Sequence, residues 1–302
     1  MKKYFIYACL LLVAGCFVSC NNDEDIDTKN SIFGSTEEGV TGFDEWLLSN
    51  YIYPYNVQVK YRLDDTETEV TYDLVPADYD RSVALMKIVK HVWMEAYDEI
   101  WGIDMTRTYV PKLIQLIGNV AYTESGMILG QAEGGLKVTL FRVNEINVGS
   151  ISAAQLNEFY FKTMHHEFTH ILNQKKAYDP AYDRISESDY VGSSWYQVRL
   201  NDALAKGCIS PYAMDRATED FAEMMSIYVT NTAAAWESRL ATAGATGRPI
   251  LEKKFEIVYN YMLDSWGVDL DKLREIVQRR QNEISNCLLY TSPSPRDRSV
   301  SR

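Results

Sequence analysis

Histidine is scarce: the 302-residue chain has four, and three of them fall at positions 165, 166 and 170. Cysteine is scarcer in effect. Of the five, Cys9 and Cys16 lie in the N-terminal apolar run, Cys20 ends it, Cys287 lies in an anomalous tail, and Cys208 stands alone, which excludes a disulfide framework. Positive charge is short, with 30 Lys+Arg against 42 Asp+Glu and a net charge of −12. An acidic body does not attract a phosphate backbone, so nucleic acid is excluded as a partner. Long hydrophobic runs are missing apart from residues 4–18, too short to span a bilayer as a stable helix. There is no internal repeat, and the Gly-containing stretch 241–249, which reads as a loop, fits no phosphate-binding motif. What remains is ordinary for a folded domain: 46% hydrophobic, 12% aromatic and 24% charged residues, enough for a sizeable core.

Both ends read as something other than folded protein. Lys2 and Lys3 precede the apolar run, which closes in Phe17-Val18-Ser19-Cys20. This resembles a bacterial lipobox, with residues 1–19 as signal peptide and Cys20 as the lipidated residue. Val13-Ala14-Gly15-Cys16 fits nearly as well, but Asn21-Asn22-Asp23-Glu24-Asp25 directly follows Cys20, and an acidic stretch there resembles the surface-export signal of Bacteroidetes lipoproteins. Residues 20–40 read as an acidic tether. Residues 287–302 resemble the translation of a sequencing adapter and are expected to be an artefact. Without 1–19 and 287–302 the chain loses Lys2, Lys3, Arg296, Arg298, Arg302 and Asp297, and the net charge becomes −16.

Between the ends, residues 41–286 read as one α+β domain, with an α/β part to about 175 and a helical part from 176. Residues 44–50 are a short helical pattern, 57–63 alternate like a half-buried strand with 70–74 as a pairing candidate, and 80–101 carry an amphipathic stripe of Leu85, Val89, Val92, Trp93, Ala96 and Ile100. Residues 109–122 read as strand. Gly134-Gly135 turns into 136–143, a strand expected at the sheet edge where an extended substrate could pair. Ser152-Ala-Ala-Gln155 is a capping box for a helix backed by Leu156, Phe159, Met164, Phe168, Ile171 and Leu172. The chain is then loop-rich to about 210, with helices over 219–230, 251–263 and 270–285.

The helix opened at Ser152 carries His165-His166-Glu167-Phe168-Thr169-His170. His166 and His170 are one turn apart on one face, so both imidazoles can reach one metal, and Glu167 sits beside them as a base: H-E-x-x-H is the zinc-hydrolase pattern. His165 points about 100° away and is expected to line the cleft or back a ligand. A catalytic zinc takes three protein ligands, and no histidine follows His170. Asn173 and Lys176 stand where the metzincin extension needs Gly and His, which excludes that family. The third ligand is then a carboxylate, Cys208 or the remote His91, whose own reading is a hydrogen-bonded helix histidine. Glu219 and Glu223 form an i, i+4 pair in which one can bind metal while the other accepts a histidine N–H.

HHEFTHIL, Ser210-Pro211-Tyr212-Ala213 and EDFAE together resemble the zinc metallo-peptidase lipoproteins of Bacteroidetes, the substrate import-associated zinc metallohydrolases. The spacing Tyr212-x6-Glu219-x3-Glu223 also resembles the gluzincin catalytic domain of anthrax lethal factor, although Glu219 lies 49 positions after His170, so a large segment must loop out. The resemblance implies a zincin-like fold in which a mixed sheet and active-site helix precede a helical subdomain. It implies Zn2+ on His166, His170 and Glu219, with Glu223 behind a ligand, Glu167 as base and Tyr212 as oxyanion donor. It also implies a lipid-anchored outer-membrane peptidase acting on protein or peptide beside a nutrient importer. The competing readings are a non-catalytic, zinc-containing subunit of that importer and a glycan-binding component, the latter prompted by Trp46, Tyr51, Tyr53 and Tyr55.

Overall fold

Thr41 opens the folded part: its hydroxyl accepts from the Asp44 N–H while Asp44 accepts from the Thr41 N–H, a reciprocal cap on helix α1, Gly42–Leu47. The computed structural model describes residues 40–63, 72–123, 126–128, 130–133, 136–148, 150 and 152–284. The expected signal peptide, Cys20, the tether short of Val40, residues 70 and 71 of the 70–74 candidate, the Gly134-Gly135 turn and the 287–302 tail lie outside these residues; 72–74 are described and form no strand.

The fold is mixed α+β and mostly helical. A four-stranded sheet runs in the order β1 (Gln58–Lys60), β2 (Leu113–Leu116), β6 (Lys137–Leu140), β5 (Gly130–Glu133). The first three strands are parallel, with Ile114 opposite both Val59 and Val138. Strand β5 adds antiparallel, with Gly130 opposite Leu140. Strands β3 (Ala121–Thr123) and β4 (Gly126–Ile128) form a separate antiparallel pair. Val57, Val59 and Tyr61 are all buried, as the alternation requires, although only 58–60 pair.

This order corrects one expectation. The strand within 136–143 is interior, hydrogen-bonded on both sides, so it offers no edge to a substrate. Among the described residues the edge on that side of the sheet is β5, whose Gly-Gln-Ala-Glu sequence carries no apolar alternation, and it packs against the histidine helix. The 109–122 region is likewise not a continuous strand: α4 (Ile103–Tyr109) runs to Tyr109, and β2 and β3 are separated by a bend.

Helix α2 (Tyr79–Val89) passes through a π-turn into α3 (Glu95–Trp101), and Leu85, Val89, Val92, Trp93 and Ala96 are buried as the stripe predicts. Ser152 caps α5 (Ala153–Leu156) by accepting the Gln155 N–H. No return bond from Gln155 occurs among the described residues, so this is a simple N-cap rather than a box. A further π-turn leads into the histidine helix α6 (Lys162–Lys175). Short helices α7 (Ala181–Ile185) and α8 (Leu200–Ala205) punctuate the segment to 210. Helices α9 (Ala217–Thr230), α10 (Ala233–Asn260) and α11 (Leu270–Ile284) complete the helical part.

The reading of 241–249 as a loop is also corrected, since α10 runs through it. Helical geometry breaks only at Gly244, with φ 66° and ψ −166°, a conformation cheap for glycine. Two helical stretches meet at this kink, and the second lies hard against α8: a Cβ on Gly247 would come within 1.9 Å of the Leu204 carbonyl oxygen. Packing overrides local propensity here.

Helix α9 is buried along nearly its whole length, Asp220 and Glu223 included. The Lys254 ammonium, fully buried on α10, donates to Asp220 Oδ2 at 2.5 Å and to the Gly207 carbonyl at 2.8 Å, and Tyr190 donates to the same carboxylate oxygen at 2.9 Å. Removing the cation would leave the buried carboxylate short of its charge partner. Lys254→Met is therefore expected to destabilise the protein by about 3–5 kcal/mol. Urea denaturation measures this; a midpoint equal to that of the parent would show the pair contributes little.

Candidate metal centre

Helix α6 buries Met164, Phe168, Ile171 and Leu172 against the core, which turns His166, Glu167 and His170 towards α9. Helices α6 and α9 pack side by side, and α9 brings Glu219 and Glu223, one turn apart, to the histidines. His166 Nε2, His170 Nε2 and Glu219 Oε2 form a triangle with sides of 3.0, 3.1 and 3.1 Å, and among the described residues this is the one His/Cys/Asp/Glu group close enough to hold a metal ion. His166 Nδ1 donates to Glu223 Oε1 at 3.0 Å, which fixes the ring and aims Nε2 into the triangle.

Glu167 and His170 open onto a cleft of about 590 Å³, lined also by Asn173, Tyr178, Pro180, Asp183, Thr218 and Glu219. Burial pushes the Glu167 carboxyl above its usual range, Glu219 and Glu223 add to that, and His166 and His170 pull the other way. It makes no hydrogen bond among the described residues. Tyr212, in the 3₁₀ turn Tyr212–Met214, stacks at a tilt on His166 with ring centroids 5.6 Å apart. Burial raises its hydroxyl well above the ordinary value, as does the nearby carboxylate of Glu219.

The remaining candidates lie elsewhere. His165 does not line the cleft or touch a ligand, which corrects the expectation. It is fully buried about 100° round α6 from His166, its Nδ1 3.0 Å from the Tyr97 hydroxyl, and burial lowers its pKa to about 3. A ring kept neutral in the core packs α6 on α3. His91, on the π-turn between α2 and α3, bonds Glu95 one turn further along and Glu283 on α11, and Cys208 is buried beside Lys254 with its thiol pushed up to about 12 by burial and by Asp220. Two residues of the site are not apparent from the sequence. Lys162 Nζ donates to Glu223 Oε2 at 3.1 Å and Ser210 Oγ donates to the same atom at 2.6 Å. Lys162 could have been found as the position one turn before His166; Ser210 stands in the Ser210–Ala213 motif, but nothing in the sequence gives its hydroxyl a role.

Residues 36–271 match the family described as "Putative zinc-binding metallo-peptidase". The chain belongs to that family. The chain is also similar to a protein from Bacteroides caccae ATCC 43185 whose crystal structure, at 2.10 Å, is described as that of "a putative zinc-binding metallo-peptidase". It is 44% identical to this chain, with a TM-score of 0.72, over 86% of this chain and 98% of that one. No curated protein matches the chain. Membership supports metallopeptidase activity in general terms and a mixed α+β fold.

The residues present fit a zinc ion. Two histidine nitrogens and a carboxylate oxygen face one another with lone pairs converging, an arrangement that needs a shared cation. The sides of the triangle approach the roughly 3.3 Å edge of a tetrahedral site with bonds near 2.0 Å. In the metal-stripped protein that cation is a proton. Burial pushes His166 down, but the hydrogen bonds to Glu219 and Glu223 and the charges of Glu223 and Glu167 outweigh it and raise the group to about 9. Glu219 is held well below the usual carboxylate range: burial opposes this, and its bonds to His166 and His170 prevail.

The sign of the pH dependence follows. Below about pH 9 zinc must displace the His166 proton, so affinity rises with pH by up to about tenfold per unit and levels off above that value. Titrating zinc into metal-stripped protein near pH 7.5 is expected to release about one proton from this group, read by calorimetry in buffers of different ionisation enthalpy. Zinc uptake with no proton release would remove His166 from the ligand set.

Proposed function

We propose that the protein is a zinc-dependent endopeptidase, with His166, His170 and Glu219 holding the metal. One observation carries the reading: the three ligand atoms converge within 3.1 Å of one another while Glu167 stands in the same cleft with no bond of its own. A structural zinc site is usually closed by four protein ligands and needs no adjacent base. Zinc, when bound, supplies a Lewis acid that polarises a carbonyl and makes water more acidic.

The rest is done by side chains. Glu167, its carboxyl raised by burial, accepts a proton from the attacking water and delivers it to the leaving amine. Tyr212, beside His166, donates to the oxygen that becomes negative. Glu223 holds the His166 ring in place through Nδ1. Strand β5, the sheet edge against α6, supplies backbone groups to an extended peptide. The 41–286 domain is zincin-like in this reading, anchored through a lipid on Cys20 after removal of residues 1–19. It works at the outer-membrane surface with a nutrient importer as its neighbour. The anchoring is supported by the lipobox-like sequence and the importer by the family resemblance.

The test is metal analysis of the purified protein together with digestion of a mixed peptide library, with and without chelator. One zinc per chain and chelator-sensitive cleavage within peptides are expected. Zinc without cleavage of any peptide would favour the non-catalytic subunit.

A further inference from the structure

Ser210 has no part in the chemistry just described, yet its hydroxyl lies where the two halves of the site meet. Ser210 Oγ donates to Glu223 Oε2 at 2.6 Å and accepts the Ala213 N–H at 3.1 Å. The other oxygen of Glu223 receives His166 Nδ1 at 3.0 Å. Ala213 follows Tyr212 in its turn, and Ser210 itself is 8% exposed. One buried hydroxyl therefore stands between the carboxylate that orients a ligand histidine and the turn that carries the oxyanion donor. A hydroxyl offers one donor and accepting lone pairs, so serine or threonine can make both bonds together and alanine neither.

We propose that Ser210 is a positioning residue that holds Glu223 and Tyr212 in a fixed relation, so that metal affinity and transition-state stabilisation are set by the same hydroxyl. The kinetic half of this rests on the peptidase reading; the metal-binding half does not. Other contacts keep both partners roughly in place when Ser210 is lost. Lys162 still donates to Glu223 at 3.1 Å. On the far side of the turn the Val191 N–H donates to the Met214 carbonyl at 2.7 Å, the Gly192 N–H to the Asp215 carbonyl at 3.2 Å, and Trp195 packs edge-on against Tyr212 at 4.9 Å. Removing the hydroxyl therefore loosens the relation between the two groups without unfolding either.

The experiment uses Ser210→Ala and Ser210→Thr in the full chain, with Tyr212→Phe introduced into the parent and into each. Zinc affinity is read by competition with a chromophoric chelator, kcat and KM on a cleaved peptide, and Tm alongside. Ser210→Ala is expected to weaken zinc binding by about 10–100-fold, the range for loss of a group supporting a ligand. At saturating zinc its kcat falls about tenfold with KM unchanged, Tyr212→Phe costs less in it than in the parent, and Ser210→Thr restores all three. A lowered Tm with parental zinc affinity would overturn the proposal, as would a Tyr212→Phe penalty undiminished by Ser210→Ala. An inactive parent whose zinc affinity still falls in Ser210→Ala would sink the peptidase reading while supporting the Ser210–Glu223 link.

Discussion

Glu167→Gln binds zinc with parental affinity and has lost turnover by about 10³–10⁴-fold: this is the result expected if the cleft is an active site. The substitution keeps the shape and one acceptor oxygen of the side chain but removes the group that can take and return a proton. Positioned general acid–base catalysis contributes about 10²–10⁴-fold, and one residue serving both proton transfers belongs at the upper end. The metal is expected to stay because Glu167 lies outside the triangle of His166, His170 and Glu219. Burial holds the Glu167 carboxyl above its usual range, which brings it closer to the operating pH and improves its proton return to the leaving amine. Metal content by mass spectrometry and turnover on one library-derived peptide decide the matter together. A zinc-replete variant that cleaves like the parent would remove Glu167 from the chemistry and with it the proposed scheme.

Helical spacing made the centre of the site legible, because i and i+4 on one helix share a face whatever lies around them. His166 with His170 and Glu219 with Glu223 are both such pairs, and the fold has only to bring two helices together for the four to meet. Contacts between distant segments were not legible. Nothing around Ser210 announces that its hydroxyl reaches Glu223, and the Lys254–Asp220 pair joins residues 34 apart whose charges alone suggest exposure. His165 shows the limit of a spacing argument: the 100° offset gives its direction from His166 but not what waits there, a core position beside Tyr97. The sheet was misread for a related reason. Strand β6 has the apolar pattern of a strand, but whether it is an edge depends on β5, which has no such pattern and is held by backbone hydrogen bonds to β6. Stretch 241–249 is helical on either side of a kink at Gly244, and its second half packs on α8, about 40 positions away in the chain.

The assignment of the third ligand turns on a comparison of two carboxylates one turn apart. Glu219 Oε2 lies 3.0 Å from His166 Nε2 and 3.1 Å from His170 Nε2, the atoms the histidines turn towards each other. Glu223 instead meets His166 at Nδ1, the far side of the ring, with its second oxygen taken by Lys162 and Ser210. A metal held by the two Nε2 atoms is therefore within reach of Glu219 and screened from Glu223 by the imidazole itself. Glu223→Ala is expected to weaken zinc binding by about 10–100-fold, the loss associated with a group that orients a ligand. Glu219→Ala removes one of three donors and also leaves two histidines facing each other without a counter-charge, so its loss must exceed that range, to the point where purified protein carries little zinc. Chelator competition on both variants at one pH, with circular dichroism to confirm that each is folded, gives the order directly. If Glu223→Ala loses more zinc than Glu219→Ala, the ligand roles on α9 are reversed and Glu223 reaches the metal by rotating the His166 ring. The predicted order leaves Glu219 on the metal and Glu223 as the residue that fixes His166.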